Sequence, residues 1–149
     1  MEQLNLPIYA ANIKKTGDTL QILDTQRHKF VTLTSEEWVR QNFVHYLLEH
    51  KGYSPALLAN EVSLTLNGMS RRCDSVLYGP DAKPRMIIEY KRPSVQITQK
   101  VFNQICRYNM VLQVEYLVIS NGLTHYCCRL DYQQKRYVFL QDIPDYSDL

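Results

Sequence analysis

The chain has 149 residues, of which 45% are hydrophobic and 21% are charged, and its formal net charge is only +2. This composition is typical of one globular domain with a hydrophobic core. It excludes a protein that binds nucleic acid through overall charge, so any such binding must use a local basic patch. No apolar run approaches the roughly 20 residues of a membrane helix. The N-terminus lacks the pattern of a signal peptide, and we expect a cytoplasmic protein with no membrane partner.

The cysteine spacing argues against a zinc site. Of Cys73, Cys106, Cys127 and Cys128, the last two are adjacent, and none belongs to a C-x-x-C or Cys/His pattern. The sequence therefore predicts buried free thiols in a reducing compartment.

The N-terminal part of the chain predicts a hairpin. Residues 1–18 contain Pro7 and Gly17 and show no clear period, so we interpret them as an N-terminal extension. Residues 19–23 and 29–33 are two short β-like runs on either side of a polar turn.

A helix is predicted to begin after Thr34. This residue and Glu37 form a capping box, and Glu36 adds negative charge to the first turn. Gly52 predicts the end of the helix. The apolar side chains recur at helical spacing and indicate a structural role: they are Val39, Phe43, Tyr46 and Leu47.

Three antiparallel strands are predicted next. Residues 61–66 alternate between polar and apolar side chains, which is typical of a half-buried strand, and Asn67-Gly68 is a strong hairpin signal. Residues 72–78 and 85–93 are β-rich arms on either side of a turn that holds glycine and proline.

The second hairpin brings together three charged side chains. Folding it between Asp81 and Ala82 places Asp74 opposite Glu89, and strand alternation places Lys91 on the same face. Because like charges directly opposite each other destabilise a sheet, we expect a cation between the carboxylates. Carboxylate oxygens suit Mg²⁺. A lysine beside them can orient or deprotonate a water molecule, or stabilise charge on a phosphate.

The C-terminal part predicts a second helix and further strands. Thr98 is a candidate N-cap, and a stripe formed by Val101, Ile105, Tyr108 and Leu112, widened by Phe102, is expected to face the core. Strand candidates are residues 115–120, 123–130 and 136–140, and the acidic tail, residues 142–149, is expected to fray. The sequence therefore predicts one α/β domain over residues 19–141, with a mixed sheet flanked by two helices.

Asp74, Glu89 and Lys91, followed directly by a helix, match the motif of the PD-(D/E)XK nuclease superfamily. Six segments extend this match in order along the chain. They are TSEEWVR at 34–40, GYSP at 52–55, RCD at 72–74, IEYKRP at 88–93, FNQICRYN at 102–109 and SNG at 120–122. Together they resemble the N-terminal nuclease domain of the type I restriction enzyme R (HsdR) subunit, over roughly residues 20–130.

This resemblance implies a restriction-endonuclease-like fold and hydrolysis of DNA phosphodiester bonds with Mg²⁺, or with Mn²⁺ as a substitute. By the same resemblance, Asp74 and Glu89 are expected to bind the metal, and Lys91 to activate water and stabilise the transition state. An upstream acidic residue often completes such a site, and Glu61 is the candidate here. Relatives often have cysteine at the position of Tyr90, whose side chain we expect to point away from Glu89.

Further residues are expected to contact DNA or to support the site. Gln104 and Tyr108 match a Gln-x-x-x-Tyr motif of the family and lie one helical turn apart. Four arginines around the hairpin and the following helix form a candidate rim for phosphate groups: Arg71, Arg72, Arg92 and Arg107.

The chain lacks the G-x-x-x-x-G-K-[ST] loop of an ATP-driven motor. We therefore expect a metal-dependent DNA endonuclease, which acts alone, with subunits of a restriction system or with a separate motor. The alternative is a non-catalytic DNA-binding or assembly module with the same fold. A junction-resolving homodimer is a third hypothesis.

Overall fold

A computed structural model describes all residues 1–149. It contains a three-stranded sheet, a six-stranded mixed sheet and two α-helices. The strands are β1 (Ile13–Thr16), β2 (Thr19–Asp24), β3 (Lys29–Thr32), β4 (Leu58–Leu66), β5 (Met69–Tyr78), β6 (Pro84–Tyr90), β7 (Tyr116–Ser120), β8 (His125–Asp131) and β9 (Arg136–Leu140). The predicted α/β class, with a mixed sheet flanked by helices, is confirmed.

Both helices begin where their capping residues predict. Helix α1 spans Ser35–His50, and the Thr34 hydroxyl accepts a hydrogen bond from the Glu37 N–H at 3.0 Å. Helix α2 spans Gln99–Met110, and Thr98 caps it in the same way. Thus two local signals in the sequence position both helices that cover the sheet.

The strand order of the large sheet is β4-β5-β6-β7-β8-β9. Strands β6 and β7 are parallel, with α2 in the connection between them, and the other neighbours are antiparallel. Val76 pairs with Ile87 and Ser75 with Ile88, which confirms the predicted register of the second hairpin. Strand β6 ends before Pro93, as expected of a residue that has no N–H to donate.

The large sheet has a hydrophobic core on each face. Phe43 and Leu47 of α1 pack on one face, together with Leu77 and Tyr90 of the sheet. Phe102 of α2 packs on the other face, within a cluster that includes Cys73, Val76 and Ile87. The site residues at the end of β6 therefore lie between two packed layers.

Strands β4 and β5 change faces where they pass Glu61 and Asp74. Leu77 packs on the α1 side, whereas Cys73, four residues earlier, packs on the α2 side, although a regular strand would keep both on one face. Opposite this point, Glu61 has a φ of +56°, a left-handed conformation that is uncommon for residues other than glycine. The distortion is local, and it turns Arg71 toward α2.

Several expectations are wrong in detail. Strand β1 lies within residues 1–18, where no strand was predicted, and β4 begins at Leu58. Tyr108 is 55% exposed rather than part of the α2 core, because the buried stripe is formed by Phe102, Cys106 and Asn109.

The expectation that the acidic tail frays is wrong, because the tail packs against the end of α1. Ile143 is buried, the Tyr53 hydroxyl donates to the Pro144 carbonyl at 3.0 Å, and the Tyr146 N–H donates to the Lys51 carbonyl at 2.8 Å. All four cysteines are buried and free, as predicted. Neither helix is long and apolar enough to cross a lipid bilayer.

Candidate functional site

The candidate site lies where β5 and β6 separate. Ser75 and Ile88 are the last pair of the ladder before the two strands diverge. In the same register, Asp74 then stands opposite Glu89, and Asp74 Oδ2 accepts a hydrogen bond from the Tyr90 N–H at 2.9 Å. The hairpin therefore brings both predicted metal-binding carboxylates together, as expected.

Glu89 is a buried acid beside another acid. Its relative exposure is only 8%. Burial, followed by the charge of Asp74, raises the pKa of Glu89 to about 8, and the charges of Arg71 and Lys91 only partly oppose this rise. A shared proton or cation between two carboxylates is the usual consequence of such an arrangement.

Arg71 bridges Glu89 and α2. Its Nη2 donates to Glu89 Oε1 at 2.5 Å, and its guanidinium carbon lies 4.0 Å from the centre of the Tyr108 ring. The remaining nitrogens of Arg71, Nε and Nη1, are buried and have no hydrogen-bond partner. The tyrosine of the Gln-x-x-x-Tyr motif thus reaches the carboxylates through this arginine.

Glu61 is held by two other arginines. Oε1 accepts from Arg40 Nη2 at 2.6 Å, and Oε2 accepts from Arg72 Nε at 2.7 Å. Burial opposes ionisation, but these arginines lower the pKa of Glu61 below its usual value. Arg40 Nη2 also lies 3.6 Å from Asp74 Oδ1, so Glu61 is connected to the site through Arg40.

Arg40 extends this group of charges into the protein. Its Nη1 donates to Glu37 Oε1 at 2.7 Å, and Arg27 Nη2 donates to the same oxygen at 3.1 Å. Arg27 Nε donates in turn to Asp24 Oδ2 at 2.5 Å. Asp24 is the last residue of β2 in the small sheet. The small sheet is therefore connected to the site by a chain of alternating negative and positive side chains.

A second path of hydrogen bonds returns from Asp24 to the site. Asn60 Nδ2 donates to Asp24 Oδ2 at 3.2 Å, the Ser75 hydroxyl donates to Asn60 Oδ1 at 2.7 Å, and the Tyr90 hydroxyl donates to Ser75 Oγ at 2.9 Å. Tyr90 points away from Glu89, as expected. Its hydroxyl has a structural role that the sequence did not indicate.

Lys91 follows directly after β6 and is half-buried. Its N–H donates to the Ser120 carbonyl at 2.8 Å, which fixes its main chain to β7. Its charge acts on two acids, because it opposes the rise in pKa that burial and Asp74 cause in both Glu36 and Glu89. The ammonium group is therefore electrostatically part of the same site.

The other predicted contacts lie at the surface. Arg72 keeps 68% of its side chain exposed despite its ion pair with Glu61. Gln104, Arg92 and Arg107 are all exposed. Their assignment to DNA binding stays a prediction.

Sequence reasoning missed two residues that act on the site. Glu36 was interpreted only as a favourable charge at the start of α1, yet it lies within electrostatic range of Asp74 and Lys91. Arg40 is 4% exposed and pairs with three acids. An arginine beside the apolar stripe of α1 was the available signal, since a buried charge requires partners.

The donor set can be compared with what Mg²⁺ needs. No group of three or more His, Cys, Asp or Glu side chains is arranged to hold a metal ion, and both Glu61 oxygens face arginines. Asp74 and Glu89 nevertheless fit the common arrangement in which one or two carboxylates bind Mg²⁺ and water or phosphate supplies the other ligands. After burial, the charge of Asp74 is the next cause of the raised pKa of Glu89, and a cation between the two carboxylates would offset that repulsion.

A family model described as "Type I restriction enzyme R protein N terminus" matches residues 35–144, which include the whole site. The chain belongs to this family. No curated protein sequence matches the chain. The motifs on which the sequence analysis rested therefore identified the family correctly.

Two solved structures are similar to this member of the HsdR N-terminal family. One is a fragment of a putative HsdR subunit of a type I restriction enzyme from Vibrio vulnificus YJ016, with a TM-score of 0.52 and 19% identity; the match covers 75% of this chain and 24% of that one. The other is a DrdV–DNA complex, with a TM-score of 0.44 and 16% identity over 73% of this chain and 11% of that one. The chain thus spans about a quarter or less of these proteins, and the first likeness supports the fold alone.

Proposed function

We propose that this chain is a nuclease module of a restriction-like system that hydrolyses DNA phosphodiester bonds with a divalent cation. The observation that carries the proposal is the convergence of Asp74 and Glu89 at the open end of the β5–β6 hairpin, with Lys91 in electrostatic range. Membership in the HsdR N-terminal family supports it. We expect DNA as the partner, and Mg²⁺ or Mn²⁺ as the cofactor.

In this proposal, Asp74 and Glu89 hold the cation, which would offset charge on the phosphate and polarise a water molecule. The Tyr90 N–H keeps Asp74 oriented, because it donates to the Oδ2 atom. Lys91 positions the attacking water or an oxygen of the phosphate, and its fixed main chain limits where the ammonium group can reach.

Nicking of supercoiled plasmid DNA with Mg²⁺ or Mn²⁺ tests this function. We expect Lys91→Ala to slow nicking by roughly 100-fold or more, since it removes the ammonium group that we propose to position the attacking water or the phosphate. Lys83→Ala is the matched control, because Lys83 is an exposed lysine at the turn end of the same hairpin, and we expect it to nick like the wild type.

A non-catalytic DNA-binding or assembly module is the second candidate. The arginines on Glu89 and Glu61 favour it, because they occupy carboxylate oxygens that a cation would otherwise bind. A wild type that binds DNA but nicks it no faster than Lys91→Ala would support this alternative and contradict the proposed nuclease.

A further inference from the structure

The guanidinium of Arg71 has few partners: it contacts one carboxylate oxygen and one aromatic ring, and two of its nitrogens have no hydrogen-bond acceptor. Nη2 donates to Glu89, and the guanidinium lies on the Tyr108 ring, yet Nε and Nη1 are buried without a partner. Buried donors without acceptors are rare and costly, and they require an explanation. The arginine side chain is only 15% exposed, so bulk water does not supply those acceptors freely.

We propose that Arg71 exchanges partners during the reaction cycle: it holds Glu89 in the metal-free protein and turns to an oxygen of the bound phosphodiester when a divalent cation takes Glu89. This inference rests on the proposed function and adds to it a residue that contacts the substrate. Tyr108 acts as the platform on which the guanidinium moves.

The exchange follows from charge. Asp74 and Glu89 together carry two negative charges when ionised, and Arg71 supplies one positive charge beside them. A divalent cation at the same carboxylates would replace the arginine and repel it, because the ion becomes the largest local charge. The displaced guanidinium would still need acceptors, and phosphate oxygens are the acceptors that a phosphodiester brings.

Tyr108 explains why the displaced arginine would remain close to the site. The ring supports the flat face of the guanidinium and leaves its N–H edges available, so the attraction persists while the hydrogen-bond partner changes. Because Tyr108 is 55% exposed, this platform borders the solvent from which DNA would approach. The position also gives the tyrosine of the Gln-x-x-x-Tyr motif a role that its sequence pattern does not specify.

Calcium binding separates the two halves of the exchange. Isothermal titration with Ca²⁺ would compare wild type, Arg71→Met, Arg71→Lys and the control Arg85→Met, which makes the same change at the other end of the hairpin, where Arg85 faces Glu115. We expect Arg71→Met to bind Ca²⁺ about tenfold more tightly, because a charge-assisted hydrogen bond no longer competes for Glu89. Arg71→Lys should bind Ca²⁺ within a few-fold of wild type, since its ammonium can still compete, and Arg85→Met should match wild type.

Nicking with Mg²⁺ should change in the opposite direction. We expect Arg71→Met and Arg71→Lys both to lower kcat by roughly tenfold or more with a smaller change in KM, since neither offers the planar fork of donors to a phosphate. Thermal unfolding without metal would show whether each variant is folded. If Arg71→Met does not fold, Arg71→Lys still tests the exchange of partners, because it should lower kcat while its Ca²⁺ affinity stays near that of wild type.

An arginine with only a structural role would not give tighter Ca²⁺ binding together with slower nicking when it is replaced by methionine. Weaker or unchanged Ca²⁺ binding by a folded Arg71→Met, or undiminished nicking by both variants, would overturn the exchange while leaving the nuclease proposal intact. A wild type that binds no Ca²⁺, or an Asp74→Asn variant that binds Ca²⁺ equally well, would remove the proposed metal site and the exchange with it.

Discussion

Asp24 and Glu89 are both buried carboxylates, yet their surroundings are opposite. Asp24 accepts four hydrogen bonds, two from the backbone and two from side chains, and it has no acidic neighbour in contact. Glu89 accepts one hydrogen bond, from Arg71, and stands opposite Asp74. Burial acts against ionisation at both positions, but donors from Arg27 and Asn60 hold the pKa of Asp24 below its usual value, whereas the pKa of Glu89 is raised.

The difference separates a structural acid from the acid that we propose to bind a cation. A carboxylate whose lone pairs are all occupied stabilises the fold and has little capacity left for a cation. A carboxylate with free lone pairs beside a second acid is destabilised until a proton or cation arrives. Each of the following changes tests one side of this contrast, beginning with the largest expected effect.

Asp24→Ala should lower the free energy of unfolding at pH 7 by about 3 kcal/mol, because it leaves Arg27 Nε and Asn60 Nδ2 without their buried acceptor. Since the pKa of Asp24 is lowered in the folded protein, its contribution is present above the unfolded pKa and is lost as pH falls through the folded value. The difference between variant and wild type should therefore shrink in acid.

Urea unfolding measured from neutral to acidic pH checks this expectation. Asp18→Ala is the control, since Asp18 is exposed in the β1–β2 turn, and it should change stability by less than about 0.5 kcal/mol. Equal effects of the two substitutions at pH 7 would contradict the structural role of Asp24.

Glu89→Gln should raise the free energy of unfolding at alkaline pH, whereas Asp24→Ala lowers it at pH 7. The folded pKa of about 8 exceeds the value of about 4.3 for an unfolded glutamate, so the contribution of Glu89 is present below the unfolded pKa and is lost as pH rises through the folded pKa. Above pH 8 the glutamine variant should be more stable than wild type by at least about 1.4 kcal/mol, which corresponds to one pKa unit.

Thermal or urea unfolding between pH 5 and pH 9, without divalent ions, measures this effect. Asp131→Asn provides a comparison, because Asp131 accepts N–H bonds only from its own turn. If the Glu89→Gln variant loses stability with rising pH as steeply as wild type, ionisation of Glu89 is not what destabilises the folded protein.

Tyr90→Phe should have the smallest effect, a loss of about 1 kcal/mol, because it removes one buried hydrogen bond to Ser75 while the ring keeps its packing. Chemical unfolding would be compared with Tyr108→Phe, whose hydroxyl belongs to a largely exposed residue. If the two variants were equally stable, the hydrogen-bonded path from Asp24 to Tyr90 would contribute nothing measurable.

The carboxylate pair could be predicted from the sequence because its position depends on local signals. Glycine and proline residues fix the turn of the β5–β6 hairpin, and strand alternation then places Asp74 opposite Glu89. The capping residues of the two helices are equally local. These features require only neighbouring residues, and the structure confirms them.

The arginine contacts could not be predicted in the same way. Arg40 pairs with Glu61, which is 21 residues away in the chain, and Arg71 pairs with Glu89, which is 18 residues away. Such partners depend on how layers pack. The left-handed backbone of Glu61 carries no sequence signal either, because glycine or asparagine usually marks that conformation.

Lys91 shows what an anchored main chain implies for the role that we propose for its side chain. Its N–H is bound to the Ser120 carbonyl of β7, a fully buried strand. The backbone therefore cannot slide toward a substrate, and the ammonium group can adjust its position only by rotating the bonds of its own four-carbon stem. Rotamer exchange of exposed side chains takes nanoseconds or less. In the proposed reaction, rotation of this stem would let the ammonium group follow a phosphate oxygen without any loop closing over it.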